Sequence, residues 1–315
     1  MDIRTYSGQE MEERFGTLME AHEDVHQLLL GDIIYIRKLK AKGMEIPEHT
    51  FGAVMEEERP LWFFCAMLPY ATVVTPALSA EWSAPAPAAG LAAAGSASDL
   101  PAVDEAFRPK ECAAALAAFL KEHAVRIAGV QSTPAFAEAF RISYGGEYRL
   151  ELAMDIMTAQ AIVPQPRRGI LVHGTIGDLD EVTALSLAFV RECLHEEHDP
   201  EEMRKSTEIR LTVPDSIFWL YKRNGETIGC AASTRKLGHG RGVSYVYIKP
   251  EYRRQGLCKE MMAALGEECF EEGCRYLTLY VDQANPFSNA AYTAVGYRYV
   301  VAMESWMLKD ESITT

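Results

Sequence analysis

A chain of 315 residues has room for two domains, and its formal net charge of −14 disfavours a nucleic-acid backbone or an anionic membrane surface as partner. Apolar residues make up 48% and charged residues 24%, the balance of a globular protein with real cores. The seven cysteines (Cys65, Cys112, Cys193, Cys230, Cys258, Cys269 and Cys274) are odd in number and lack paired spacing, which predicts reduced thiols in a cytoplasmic protein rather than a disulfide framework.

The opening Met-Asp-Ile-Arg-Thr-Tyr has no basic segment followed by an apolar one, so no signal peptide is expected. Over 7–23, Phe15, Leu18 and Met19 fall at helical spacing and predict a surface helix. The segment 26–39 carries Leu28, Leu29, Leu30, Ile33, Ile34 and Ile36 but is interrupted by Gly31 and Asp32; its pattern fits a helix or a strand. The apolar run 61–78 contains Pro69, Thr72, Thr75 and Pro76. A membrane helix needs about 20 apolar residues, so two buried strands, 62–67 and 71–75, are expected instead. Ala, Pro, Ser and Gly dominate about 76–103, which reads as a flexible insertion that buries little surface. Helices are predicted over 111–124 and 134–142, and a strand over 147–157. Pro164, Pro166 and Gly169 mark a connection that divides domains 1–165 and 166–315.

Beyond it, 170–173 reads as a strand, followed by a helix capped by Asp178 or Asp180 and running to about His195, then a short helix over 200–207. Asn224-Gly225 between 217–221 and 227–233 predicts a hairpin, because that pair supplies the positive φ of a tight turn. A strand over 243–248 leads into Arg253-Arg254-Gln255-Gly256-Leu257-Cys258-Lys259, which opens a helix whose Leu257, Met261, Leu265 and Cys269 share one face. Gly273 stops that helix and 276–281 forms the next strand.

A short Gly-containing loop between strand and helix gathers free backbone N–H groups at a positive helix end, which suits a phosphate. Gly256 permits close approach, and Arg253 or Arg254 can add charge. Taken alone the segment also reads as a plain turn. No Gly-x-Gly-x-x-Gly follows the first strand, which argues against a Rossmann-type nucleotide binder. His195-Glu-Glu-His198 lacks the spacing of a zinc site, so no metal is expected. Cys258 has no His or acid near it in sequence to activate it as a nucleophile.

Arg-Arg-Gln-Gly-Leu-Cys resembles the pyrophosphate loop of the GNAT superfamily of N-acetyltransferases, usually Gln/Arg-x-x-Gly-x-Gly/Ala, with Arg254 for a small residue and Cys258 for the terminal Gly or Ala. Downstream, Asn285-Pro-Phe-Ser288-Asn-Ala-Ala-Tyr292, followed by Gly296-Tyr297, resembles the family's closing segment. The resemblance spans about 168–308. It implies an α+β GNAT fold in the C-terminal domain: a mixed, mostly antiparallel sheet flanked by helices. The first half resembles the degenerate partner domain of tandem GNAT proteins over 62–75, 116–124, 129–130 and 136–140. It has no phosphate loop before residue 165, so one cofactor site is expected.

The resemblance further implies acetyl-CoA as co-substrate, held by Val246, Tyr247, Ile248, Arg253, Arg254, Gln255, Gly256, Leu257, Cys258, Lys259, Asn285 and Ser288. A backbone N–H near Tyr247 and Ile248 would polarise the thioester carbonyl. Tyr292 would protonate the departing thiolate, and the acceptor would be a primary amine of a small molecule or peptide. No base is singled out: Glu192, Glu196 and Glu197 are either an acidic wall of the acceptor cleft or a solvated charge run. A non-catalytic acyl-CoA-binding sensor on the same fold is the alternative.

Overall fold

A computed structural model describes residues 1–41, 43–79, 107–213 and 215–309. Residues 80–106, which hold most of the insertion expected over about 76–103, lie outside the described residues. The chain divides into two compact units: Met1–Ile156 with the strand from Tyr299 on, and Met157–Arg298.

Unit 1 runs β1 (Asp2–Tyr6), α1 (Gly8–Glu20), α2 (Gln27–Ala41), β2 (His49–Glu56), β3 (Arg59–Met67), β4 (Thr72–Pro76), α3 (Pro109–Glu122), β5 (Gly129–Ser132), α4 (Pro134–Tyr144) and β6 (Tyr148–Ala159), whose last residues cross the division. Unit 2 runs β7 (Ile170–His173), α5 (Leu179–Phe189), a π-helical turn (Val190–Leu194), α6 (Pro200–Thr212), β8 (Ile217–Arg223), β9 (Glu226–Lys236), β10 (Gly240–Ile248), α7 (Leu257–Glu271), β11 (Tyr276–Asp282) and α8 (Pro286–Ala294). The last strand, β12 (Arg298–Leu308), pairs antiparallel with β5 from Glu304↔Ser132 to Met307↔Gly129.

Among the described residues, the order strand, two helices, three strands, helix, strand, helix occurs in both units, and so does the pairing. β1–β2, β2–β3 and β3–β4 are antiparallel and β4–β5 is parallel. β7–β8, β8–β9 and β9–β10 are antiparallel and β10–β11 is parallel.

Local chemistry accounts for the elements. The Ser7 hydroxyl accepts the Glu10 N–H and the Glu10 carboxylate accepts the Ser7 N–H, a capping box that starts α1. The ambiguous segment 26–39 is a helix, because Leu29, Ile33 and Ile36 recur at helical spacing and bury against Phe51 and Phe63. β3 is buried along almost its whole length, which explains its unbroken apolar run. Expectation and structure differ at α5. Thr175 starts a single 3-10 turn there, and the Asp178 carboxylate accepts from Thr175 N–H and Oγ1 at 2.9 Å each rather than capping the helix. The α-helix ends at Phe189 and relaxes into the π turn, short of His195. α6 continues to Thr212, past the expected residue 207.

In unit 2 alternate residues serve opposite faces, as period-2 strands require. Phe218, Leu220, Cys230, Ala232 and Tyr247 pack under α5 with Val182 and Leu185. Trp219, Tyr221, Ala231, Val243 and Ile248 pack against Leu257, Met261, Leu265 and Cys269 of α7. The four-residue stripe on α7 is buried as its spacing predicts.

Candidate active site

The site is assembled where β10 leaves β11. Their parallel register runs from Gly240↔Tyr276 to Val243↔Leu279 and goes no further. Against β9, β10 shifts register between Gly242 and Ser244 and again between Ser244 and Tyr247, and Tyr245 takes a left-handed φ of 53°. Bulges of this kind bend a strand and redirect its backbone groups. Val246, Tyr247 and Ile248 lie just beyond the bulge, so their polar backbone lies past the end of the β11 ladder. Tyr247 points to the α5 face and Ile248 to the α7 face.

From Ile248 the chain passes through a 3-10 turn, Pro250–Tyr252, into the loop. Arg254 has φ 61° and Gly256 φ 79°. A side chain at Gly256 would meet nothing closer than Arg168 Nη2 at 3.6 Å and Lys259 Cε at 3.7 Å, so backbone conformation, not crowding, calls for glycine. No side chain caps α7. Its first bond of the α-helical ladder is the Glu260 N–H to the Gly256 carbonyl at 3.3 Å, which leaves the amides of Leu257, Cys258 and Lys259 as the usual orphan donors of a helix start. Arg254 and Lys259 have no hydrogen-bond or ion-pair partner among the described residues. The Cys258 side chain packs against the α7 core, and burial pushes its thiol up to about 12, far from a reactive thiolate. This loop fits a diphosphate.

Two loop side chains are already committed. Arg253 Nε donates to the Ile248 carbonyl at 2.8 Å, one Nη donates to Glu192 at 2.5 Å, and the guanidinium lies 5.2 Å from the Tyr247 ring centre. The Gln255 side-chain oxygen accepts from Arg223 at 3.5 Å and its carbonyl accepts from Arg168.

On α8, the Asn285 side-chain oxygen accepts the Ser288 N–H at 3.1 Å, so both residues also form a local cap, with Pro286 at the first helical position. Tyr292 is 6% exposed, and its ring lies 5.8 Å from that of Tyr297. Burial drives its phenol well above the ordinary tyrosine range, with the nearby Cys258, Tyr297 and Cys193 adding to the effect. Gly296, at φ 114°, lets the chain turn beneath α8; an added Cβ would come 2.5 Å from the Ala161 carbonyl.

Of Glu192, Glu196 and Glu197, the structure separates one from two. Glu196 pairs with His198 at 2.6 Å and Glu197 with Arg191 at 3.2 Å, both on their own exposed segment. Glu192, on the π turn, instead accepts from the Tyr247 hydroxyl at 2.6 Å and from Arg253. Burial raises the Glu192 carboxyl, but these two donors outweigh it and the net shift is downward. Burial, then the bond to Glu192, raises the Tyr247 phenol. Among the described residues no group of three or more His, Cys, Asp or Glu is placed to hold a metal ion. No described helix is long and apolar enough to cross a membrane.

Sequence reasoning missed Arg168, Tyr221, Arg223 and Glu260. Arg168 lies within the connection that divides the expected domains, and Glu260 lies off the stripe Leu257, Met261, Leu265 and Cys269. The one available signal was an acid directly before Met261 in the apolar stripe of α7.

Residues 184–297 match the family profile described as the acetyltransferase (GNAT) family. A stretch of 61 residues, 19% of the chain, is 33% identical to a thialysine N-epsilon-acetyltransferase of Bos taurus and covers 36% of that protein. Among solved structures, the chain is similar to a GCN5-related N-acetyltransferase from Sphaerobacter thermophilus, with a TM-score of 0.55 and 11% identity over 96% of this chain and 94% of that one. It is also similar to a GNAT-family acetyltransferase from Colwellia psychrerythraea, with a TM-score of 0.53 and 9% identity over 98% and 100%. At such identities the likeness concerns fold. With the sequence profile lying over the bulged strand, the uncapped loop and α8, the chain carries, across residues 184–297, a domain of the acetyltransferase (GNAT) family on an α+β GNAT fold.

Proposed function

We propose that this chain is an N-acetyltransferase that takes acetyl-CoA at the loop Arg253-Lys259 and passes the acetyl group directly to a primary amine. The observation that carries the reading is the convergence in unit 2 of three parts. They are the uncapped start of α7, the end of the β10–β11 ladder at Val243, and Tyr292, whose phenol is within electrostatic reach of the Cys258 thiol in the loop.

The chemistry follows from these parts. Amides at the head of α7, with Arg254 and Lys259, neutralise a diphosphate. A backbone N–H of the strand at Tyr247 or Ile248 stabilises negative charge on the thioester oxygen as the amine adds. The C–N bond forms, the attacking nitrogen gives up a proton to solvent water, the C–S bond breaks, and the thiolate takes a proton. The Tyr292 phenol, kept protonated by burial, supplies that proton or the hydrogen bond that stands in for it.

The formal net charge of −14 favours a cationic amine as acceptor. The bovine relative's name makes a thialysine ε-amine the first acceptor to test. Unit 1 reads as a degenerate copy in a tandem arrangement. Thr133-Pro134 opens α4 as Asn285-Pro286 opens α8, and seven positions on Phe140 stands where α8 has Tyr292. A phenylalanine cannot donate a proton, which supports a single reaction centre in unit 2.

The test is a screen of amines, including thialysine, with acetyl-CoA and a readout of free thiol. Acceptor-dependent thiol release that Tyr292→Phe slows about a hundredfold or more is expected. Tight CoA binding with no release from any amine would instead favour a non-catalytic sensor.

A further inference from the structure

We propose that Arg168 is a phosphate-binding arm of the donor site, brought to the loop from outside its motif. The inference rests on the reading above, that a CoA thioester binds at Arg253-Lys259.

Arg168 lies just before β7, 87 positions from Gln255 in the chain, yet its side chain ends at the loop. Its backbone N–H donates to Glu260 Oε2 at 3.0 Å and its Nε to Oε1 at 2.7 Å. Nη2 closes on Glu260 Oε1 at 2.5 Å and also donates to the Gln255 carbonyl. The same nitrogen is the nearest atom to the empty space on Gly256, at 3.6 Å.

Glu260 is in turn fixed. It is 3% exposed, it accepts the Tyr221 hydroxyl at 3.1 Å, and that hydroxyl accepts the Gly169 N–H at 3.1 Å. Burial raises the Glu260 carboxyl, but the Arg168 and Tyr221 bonds prevail and keep it below its ordinary range.

The asymmetry of this pair is what points to a ligand. An ion pair built only for the core hides both members, because an isolated buried charge is strongly unfavourable. Here the carboxylate is buried while the Arg168 side chain remains 45% exposed. Its Nη1 has no partner among the described residues. With Nε and Nη2 committed to Glu260 and the Gln255 carbonyl, the two N–H groups of Nη1 are the charged donors left for a phosphate oxygen. Among the cations around Gly256, Arg254 and Lys259 are unpartnered, and Arg168 is held in position before any ligand arrives. Such preorganisation removes the ordering penalty that a flexible side chain carries on binding. Glu260 acts through Arg168 and is a positioning residue.

The experiment is titration calorimetry of the full chain with CoA, 3′-dephospho-CoA and pantetheine. Removing Arg168 alone strands a buried carboxylate, so the comparison is Glu260→Gln against the double variant Arg168→Ala with Glu260→Gln. The double variant is expected to bind CoA about tenfold more weakly than Glu260→Gln, as loss of one charged hydrogen bond implies. Pantetheine, which has no phosphate, is expected to bind both equally, and added salt to narrow the CoA difference. A matching loss for 3′-dephospho-CoA assigns Arg168 to the diphosphate; no loss there assigns it to the 3′-phosphate.

The positioning role of Glu260 predicts that Arg168→Ala costs more CoA affinity in the wild-type background than beside Glu260→Gln, with no such coupling for pantetheine. If the double variant does not fold, Arg168→Lys keeps the ion pair without the spare Nη1 donors and is expected to weaken CoA several-fold while sparing pantetheine. Equal CoA binding across these variants, or losses shared by pantetheine, would overturn the proposal while leaving the donor site intact. A wild-type protein that takes up no CoA would remove the donor site and Arg168's role together.

Discussion

The Tyr247 hydroxyl donates to the Glu192 carboxylate at 2.6 Å, tying the bulged strand β10 to the π turn that ends α5. Arg253 occupies the other carboxylate oxygen, so one glutamate links strand, turn and the loop that precedes α7. The link is charge-assisted on both oxygens, which makes it directional as well as attractive.

The first prediction concerns that link and pH. The folded-state Glu192 carboxyl is held below its ordinary value of 4.5, so its contribution to stability is full above pH 4.5 and fades as pH falls through the folded value. Glu192→Gln is therefore expected to melt lower than wild type at neutral pH and to converge with it in acid. The side chain is 35% exposed, so the difference at neutral pH should be about 1 kcal/mol or less. Thermal melts of both proteins from pH 7 to 3 measure it; a gap that widens in acid would contradict the assignment.

A second prediction separates chemistry from folding at Tyr292. Its hydroxyl has no hydrogen-bond partner among the described residues, so Tyr292→Phe strands no other group and should leave the melting temperature nearly unchanged. If the phenol serves the departing thiolate, kcat falls about a hundredfold or more while donor affinity holds. Steady-state thiol release and CoA titration read the two quantities, and unchanged turnover would remove Tyr292 from the mechanism.

The third is a backbone prediction. Gly256 sits at φ 79° with open space around it. Gly256→Ala adds no clash but forces a left-handed conformation on a residue with a Cβ, a penalty of about 1–2 kcal/mol. A lower melting temperature is expected, along with weaker CoA binding as the loop relaxes. Full stability with full affinity would show that the loop does not need its left-handed residue.

The fourth lies in unit 1. His26 is fully buried, its Nδ1 is hydrogen-bonded to Thr75 Oγ1 at 2.9 Å, and burial, with His22 nearby, lowers its pKa from 6.5 to about 3. Below pH 6.5 the unfolded chain takes up a proton that the folded one refuses. Stability should therefore fall by about 1.4 kcal/mol per pH unit as pH drops from 6.5 towards 3. Denaturant unfolding of wild type and His26→Gln across that window tests it: the variant should show the shallower slope, and parallel slopes would exclude His26 as the source.

Much of this was legible in the residues themselves. The stripe Leu257, Met261, Leu265 and Cys269, the Asn224-Gly225 hairpin and the strand–loop–helix around Gly256 are local patterns. Hydrophobic period and turn chemistry act within a few residues, so they survive whatever the rest of the chain does. Segment 26–39 fits a helix or a strand by sequence because Gly31 and Asp32 interrupt its apolar residues; burial of Leu29, Ile33 and Ile36 with Phe51 and Phe63 selects the helix.

Tertiary structure alone decided the rest. Nothing near Glu192 distinguishes it from Glu196 and Glu197; the Tyr247 hydroxyl does, from 55 positions away. Nothing near Arg168 marks it as more than part of a linker until Glu260, 92 positions on, takes hold of it. Composition and spacing encode which backbone conformations are cheap, but the partner of a charged side chain is set by strand register and helix packing, which are properties of the whole folded chain.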